Sequence, residues 1–139
     1  HAKEKTITLP KTLTKNGREH SFPYGDMAAR IVMLPEKGLL FPARGTPDRP
    51  VNGWGKAKQA LDEKLESVGA WTLHDLRRTF TTRLSEMGVM PHGTERLLNH
   101  VTGSLTPIAL VYNRAKYVAE MRDAVKLWEQ RLVGLLKTA

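Results

Sequence analysis

Five side chains in this sequence are of the types that phosphodiester chemistry without a metal would need. They occur along the chain in the order Lys15, His74, Arg77, His100 and Tyr112. A tyrosine phenol is a poor nucleophile at neutral pH, and a phosphodiester is a reluctant, anionic electrophile. A site that joins the two needs cations on the phosphate oxygens and a proton acceptor near the phenol. The sequence contains candidates for each part.

The composition is that of one soluble globular domain with a basic surface. The chain has 139 residues, 40% of them hydrophobic, and its 22 Lys and Arg against 14 Asp and Glu give a net charge of +8. This excess favours a polyanionic partner, although charge alone does not identify one. No stretch has the pattern of a membrane span or a signal peptide. The absence of cysteine excludes disulfides and thiolate metal sites, so we expect a cytoplasmic protein.

The first half of the chain has the pattern of a hairpin followed by two helices. Residues 5–24 alternate as two short strands around the turn TKNG at Thr14–Gly17, which places Lys15 at the tip. We then expect a helix over residues 26–36, a short strand at LLFP (39–42) and a loop from Phe41 to Gly55. The apolar spacing in Lys56–Val68 predicts a second helix, with Gly69 as its C-cap.

A longer helix is predicted from Thr72 to Gly88. Thr72 is a suitable N-cap, with Asp75 in the capping-box position, and Gly88 is a suitable end. One face carries an apolar stripe, and on this helix Arg77 falls beside the stripe, where its guanidinium would emerge from a partly desolvated wall. The alternative is that Arg77 and Arg78 belong to a solvated face and that His74 is an ordinary polar residue of the first turn. The stripe consists of Leu73, Leu76, Phe80, Leu84 and Met87.

Two shorter helices would carry the remaining candidates. One begins at Pro91 and ends at His100, and the next runs from Thr106 to Tyr112. A histidine at a helix C-terminus can simply interact with the helix dipole, and a tyrosine in an apolar stretch is usually a core residue. Each candidate is therefore weak by itself, and the combination carries the argument.

In combination these segments resemble the tyrosine recombinases, specifically the catalytic domain of phage and prophage integrases. The resemblance lies in LHDLRRTFTTRLSEMG, LLNH and VYNR, preceded at a distance by TKNGREHSFP, and it covers nearly the whole chain. It implies that Lys15 is the hairpin lysine, His74 and Arg77 are the HxxR pair, His100 is the second histidine and Tyr112 is the nucleophile.

The resemblance also implies a fold and a domain organisation. The fold would be α+β and mainly α-helical, with a small N-terminal β-hairpin packed on a helical catalytic core. Residues 1–139 would form one C-terminal catalytic domain, truncated at its start. Within it, residues 1–24 would be the hairpin region, 25–114 the helical core with the active site, and 115–139 a C-terminal tail helix.

Two departures from the family pattern stand out. The family usually has glycine before the second histidine, where this chain has Asn99. The family's first catalytic arginine lies upstream of the hairpin, and no arginine of this chain matches it. We therefore expect a piece of a longer integrase that has little activity alone. None of Arg18, Arg30, Arg44 and Arg49 corresponds to that arginine.

The implied reaction is strand cleavage and rejoining on double-stranded DNA, with no metal and no cofactor. Tyr112 would attack the phosphate in line, giving a 3′-phosphotyrosyl bond and a 5′ hydroxyl. Arg77 and His100 would stabilise charge on the phosphoryl oxygens. His74 would accept or hold the phenolic proton, and Lys15 would protonate the leaving 5′ oxygen.

The C-terminal segment has the pattern of a long amphipathic helix. It would either pack on its own domain or be donated to a neighbouring protomer in a recombining tetramer, with Trp128 as the anchor. For an integrase we expect a location at the bacterial nucleoid in the cytoplasm. The seam consists of Val118, Met121, Val125, Trp128, Leu132 and Leu135.

Two other functions fit the same residues. A type IB topoisomerase uses similar side chains but relaxes DNA without pairing two sites. A non-catalytic basic module would only follow backbone phosphates, and Tyr112 would then be a core residue. If the chain is a fragment with little cleavage activity, we expect weak and strongly salt-dependent DNA binding.

Overall fold

The computed structural model describes residues 4–32, 38–65, 68–100 and 117–138. Within these ranges the fold is α+β and mainly helical, with five α-helices and two separate two-stranded antiparallel sheets. The predicted fold class is therefore confirmed at this level. The strands are β1 (Thr6–Leu9), β2 (His20–Pro23), β3 (Pro42–Ala43) and β4 (Thr46–Pro50), and the helices are α1 (Asp26–Ile31), α2 (Trp54–Asp62), α3 (Leu73–Glu86), α4 (Pro91–Leu97) and α5 (Val118–Thr138).

The chain divides into two compact units. The first combines His1–Ile31 with Arg78–Ala139, and the second is Val32–Arg77. The boundary falls within α3, so His74 and Arg77 belong to the second unit, whereas Lys15 and His100 belong to the first.

The first unit begins with the expected hairpin. β1 and β2 pair antiparallel from Thr6 opposite Pro23 to Leu9 opposite His20. Residues 10–19 connect them and include a short 3-10 helix and the turn Thr14–Gly17, in which the Gly17 N–H donates to the Thr14 carbonyl over 3.1 Å. Gly17 has a φ of 65°, which glycine adopts without steric cost. The predicted reversal at TKNG is confirmed, inside a longer connection.

The core of this unit lies where β2, α4 and α5 pack together. Leu84 from α3 and Ala124 from α5 have no exposed surface, and Met121 is 3% exposed. Trp128 of α5 packs edge to face on Phe80 of α3, with ring centroids 5.1 Å apart, a geometry that aromatic pairs favour. In this structure α5 thus packs on its own unit, and its donation to a neighbouring protomer remains a prediction.

Local backbone signals set the two ends of α3. At its start the Asp75 carboxylate accepts hydrogen bonds from the N–H and the hydroxyl of Thr72, at 2.9 and 2.8 Å. At its end Gly88 has a φ of 83°, its N–H donates to Ser85, and the Val89 N–H donates to the Leu84 carbonyl. This pattern is a Schellman motif, which satisfies carbonyls that the helix leaves unpaired. Both predicted ends of the helix are confirmed.

The apolar stripe predicted on α3 is buried only in its C-terminal half. Leu84 is buried and Phe80 is half-buried, whereas Leu73 and Leu76 are 51% and 58% exposed. The aromatic contact from α5 reaches α3 at Phe80, beyond the turns that carry Leu73 and Leu76. Helical spacing identified the apolar face but could not show how far along the helix it is covered.

The second unit departs most from the sequence predictions. The expected loop from Phe41 to Gly55 contains β3 and β4, which meet through a turn where Gly45 has a φ of 77°. Only Pro42 of the predicted strand LLFP is in a strand. Proline is compatible with a two-stranded sheet, since every strand in it has an open edge.

Two predicted helices are shorter than expected. α1 ends at Ile31, and the last residues of the predicted helix lie outside the described ranges. α2 spans Trp54–Asp62 rather than Lys56–Val68. Beyond it, N–H groups of Lys64 and Leu65 donate to carbonyls three residues back, which tightens the chain into 3-10 turns and ends the helix before Gly69.

None of the described helices combines the length and apolar character that crossing a membrane requires.

Candidate active site

The predicted nucleophile, Tyr112, lies outside the described residues, as does the helix predicted from Thr106 to Tyr112. Its role therefore remains a prediction from the sequence. The other four candidate residues are described, and each can be placed on its element.

His74 and Arg77 lie one turn apart in the N-terminal half of α3. The capping interaction between Thr72 and Asp75 fixes the start of the helix on which both residues lie. Both residues are exposed. The expectation that Arg77 would emerge from a desolvated wall is wrong for this structure, because the neighbouring leucine at position 76 is itself 58% exposed.

Lys15 occupies the second position of the Thr14–Gly17 turn and is exposed. Side chains on both sides brace this turn. The Thr14 hydroxyl donates to the Arg18 carbonyl over 2.6 Å, and the Asn16 side-chain oxygen accepts from the Arg18 N–H over 3.2 Å. The lysine thus projects from a turn with its own local hydrogen bonds.

His100 is exposed and lies three residues beyond the end of α4, which stops at Leu97 and so is shorter than the predicted helix from Pro91 to His100. α4 begins with Pro91 at the predicted position and ends in a second Schellman motif. The His100 N–H donates to the Glu95 carbonyl over 2.9 Å, and the Asn99 N–H donates to Arg96 over 3.2 Å. Asn99 has a φ of 54°, in the left-handed region.

This geometry gives a physical reason for an asparagine at position 99. The position just past the helix requires positive φ, which glycine adopts freely and asparagine tolerates better than most residues. Asparagine therefore fits this backbone conformation, and the chain can turn into His100 without glycine at position 99.

A hydrogen bond joins the Lys15 turn to the end of α4. The Asn16 side-chain nitrogen donates to the Asn99 side-chain oxygen over 2.9 Å, across 83 positions of sequence. Since Lys15 precedes Asn16 and His100 follows Asn99, the bond holds the two turns that carry these candidates next to each other. The structure thus brings Lys15 and His100 into one neighbourhood of the first unit.

Sequence reasoning missed the role of both asparagines. Their only signals were the turn position of Asn16 in TKNG and the replacement of glycine by Asn99 in LLNH. Neither signal could reveal that the two amides meet, because contact between distant segments follows from tertiary packing and not from local pattern.

The first unit also contains a groove whose lining is apolar, unlike the polar surroundings of Lys15 and His100. It is an open groove of about 380 Å³ with a mostly apolar lining, so it offers few donors for a phosphate. Within the described part of the chain, no group of three or more His, Asp or Glu side chains is arranged as metal ligands. The groove lining includes Phe22, Met27, Ile31, Phe80, Trp128 and Leu132.

Comparisons with protein-family models, with curated proteins and with solved structures each found no match to this chain. The resemblance to tyrosine recombinases therefore depends on the motifs quoted above.

Proposed function

We propose that this chain is part of a site-specific DNA recombinase of the tyrosine type, acting at the bacterial nucleoid and cutting and rejoining strands through a 3′-phosphotyrosyl intermediate. The observation that carries the proposal is the 2.9 Å hydrogen bond between Asn16 and Asn99. It supports a shared site for Lys15 and His100, two residues that the motifs selected independently and that lie far apart in sequence. The net charge of +8 suits a DNA partner.

In the proposed reaction, the Tyr112 oxygen forms a bond to phosphorus as the bond from phosphorus to the 5′ oxygen breaks. His74 accepts the phenolic proton, and Lys15 gives a proton to the departing 5′ oxygen. Arg77 and His100 donate hydrogen bonds to the non-bridging oxygens, where charge develops. Attack on the phosphotyrosine by a 5′ hydroxyl of the partner duplex reverses these transfers and completes the exchange.

One observation favours a second function, that of a non-catalytic DNA-binding module. His74 and Arg77 are exposed on α3, and a solvated guanidinium can follow backbone phosphates without catalysing their cleavage. The reaction product would distinguish a type IB topoisomerase from both of these functions, since a topoisomerase relaxes supercoils without exchanging strands between two duplexes.

We also propose that a recombining tetramer forms on DNA through α5. The distal part of this helix supports the proposal, because Leu135 and Leu136 are 52% and 69% exposed. Exposed leucines near the end of an amphipathic helix are suitable contacts for a neighbouring protomer. Replacing both with lysine should leave the DNA-bound protein monomeric in sedimentation, and an unchanged assembly would argue against this role for the helix.

The covalent intermediate provides the direct test of cleavage. A pool of random-sequence duplexes would carry one neutral methylphosphonate, with a nick just beyond it so that the released strand diffuses away. The neutral group removes the charge that the family's first arginine would otherwise balance. We expect a protein–DNA adduct that survives denaturant and is lost in Tyr112→Phe. An adduct that persists in Tyr112→Phe, or none from the unaltered chain, would reject the proposal.

Binding without cleavage is checked by salt titration on an unmodified duplex. Because cationic side chains release counterions from DNA, the logarithm of the affinity should fall linearly with the logarithm of the salt concentration. Lys15→Ala and Arg77→Ala should each reduce that slope by about one. An affinity that does not change with salt concentration would contradict both the recombinase and the DNA-binding module.

A further inference from the structure

The two asparagine side chains that connect the Lys15 turn to the end of α4 form what we term the amide clamp, consisting of Asn16 and Asn99. The Asn16 amide is engaged at both of its ends. Its nitrogen donates to Asn99 over 2.9 Å, and its oxygen accepts from the Arg18 N–H over 3.2 Å. The Asn16 side chain is therefore held in one orientation by the turn in which it lies.

The Asn99 half of the clamp is set by its backbone. The left-handed conformation at this residue, with φ 54°, closes the Schellman motif of α4 and sets the direction of the Cα–Cβ bond. Glycine would fit the same backbone conformation, but it has no side-chain amide that could accept the bond from Asn16. Asparagine thus performs two tasks at this position, ending the helix and receiving the bond from Asn16.

We propose that the amide clamp positions Lys15 relative to His100 during strand cleavage, an inference that depends on the function proposed above. As the bond from phosphorus to the 5′ oxygen breaks, the Lys15 ammonium gives its proton to that oxygen. His100 meanwhile donates to a non-bridging oxygen of the same phosphate. Both groups must reach one phosphate together, and small displacements of a proton donor reduce catalysis strongly. Asn16 and Asn99 are positioning residues in this proposal, because they would act through Lys15 and His100, the neighbours that they connect.

The geometry can be tested without any activity. The chain has no cysteine, so spin labels on Lys15→Cys and His100→Cys are the only two labels present. We expect one narrow distance distribution between them. Asn99→Gly, which suits the left-handed backbone but lacks the amide, should broaden the distribution by about twofold or more. Asn52→Gly makes the same chemical change at an exposed site and should leave the distribution unchanged. An unaltered distribution in Asn99→Gly would overturn the clamp.

The catalytic role is tested by changing the leaving group. Two random-sequence duplex pools would both carry the neutral methylphosphonate, one releasing a 5′ alcohol and the other a nitrophenolate. The alcohol needs a proton as it leaves, whereas nitrophenolate leaves as the anion. Asn99→Gly should form adduct about tenfold more slowly on the alcohol substrate, and within about twofold of the unaltered rate on the nitrophenolate substrate. Equal slowing on both substrates would indicate a general structural effect and overturn the proposal.

Two further variants separate failure of the clamp from failure of the proposed function. Asn99→Gly should add little to the defect of Lys15→Ala on the alcohol substrate, because both changes act through the same proton. Full additivity of the two defects would overturn the clamp. If Tyr112→Phe forms adduct on both substrates, the recombinase proposal fails, and the role of the clamp in cleavage fails with it.

Discussion

Glu129 in α5 fills the space that a side chain at position 25 would occupy. A Cβ atom added to Gly25 would come within 2.2 Å of the Glu129 carboxyl carbon and 2.3 Å of both its oxygens. That carboxylate accepts hydrogen bonds from the backbone N–H groups of Asp26 and Met27, each at 2.8 Å, and of Ala28 at 3.3 Å. A residue from the C-terminal helix therefore caps the first helix of the chain.

Replacing Gly25 with alanine should destabilise the first unit, because the new methyl group would push the carboxylate away from the N–H groups that it caps. We expect a loss of roughly 1–2 kcal/mol, the usual cost of losing a helix cap, in urea unfolding followed by circular dichroism. Gly55→Ala is the matched control, since a Cβ atom there meets no atom within 4 Å. Equal effects of the two substitutions would contradict the close approach.

Removing the cap directly should make the Gly25 substitution nearly harmless. Glu129→Ala should cost roughly 1–2 kcal/mol by itself and should increase hydrogen exchange at the amides of Asp26 and Met27. In that background Gly25→Ala should add less than about 0.5 kcal/mol, because the group that it displaces is gone. Asp123→Ala, at an exposed site on the same helix, serves as control for the loss of a carboxylate. Additive effects of the two changes would show that they act separately.

The ion pair between Lys5 and Asp26 gives stability a dependence on pH at both extremes. The hydrogen bond from Lys5, followed by its charge, holds the pKa of Asp26 below its usual value, and the same bond to Asp26 raises the pKa of Lys5. The Asp26 contribution is present above its unfolded pKa and is lost as pH falls through the lowered folded pKa. The Lys5 contribution is present below its unfolded pKa and is lost as pH rises through the raised folded pKa.

In Asp26→Asn, the free energy of unfolding should therefore fall less than in the unaltered chain as the pH is taken to either extreme. The two side chains are 45% and 76% exposed, so the effect should be small and should fade at high salt. Urea midpoints across the pH range, at low and high salt, provide the measurement. If the urea midpoint of Asp26→Asn falls as steeply at low and high pH as that of the unaltered chain, other groups cause the pH dependence.

Local rules predicted those features of the fold that depend on neighbours in sequence. The start of α3 follows from Thr72 and Asp75, its end from Gly88, and the start of α4 from Pro91. In these cases a local capping hydrogen bond, a particular backbone angle or a missing N–H group selects the residue type, so the sequence alone carries the information.

Features that depend on distant packing could not be predicted in this way. The Asn16–Asn99 bond spans 83 positions, and the bond between Asp26 and Glu129 spans 103. The apolar seam predicted in α5 passes beside Glu129, and its spacing gives no sign that a charged residue caps another helix. The motifs selected Lys15 and His100 for the candidate site, but only the fold relates the two.

Asn99 allows the requirement for a left-handed backbone to be separated from the requirement for an amide. Asn99→Ala should destabilise the first unit by roughly 1 kcal/mol, because a Cβ without a compensating side chain is strained at positive φ. Asn99→Gly relieves that strain and should stay within about 0.5 kcal/mol of the unaltered chain, since the bond that it loses is exposed. Thermal unfolding of both variants, with Asn52→Ala as a control outside the left-handed region, measures the difference. If alanine and glycine prove equally stable, the left-handed conformation is not what favours asparagine at this position, and its amide bond to Asn16 becomes the main reason for its presence.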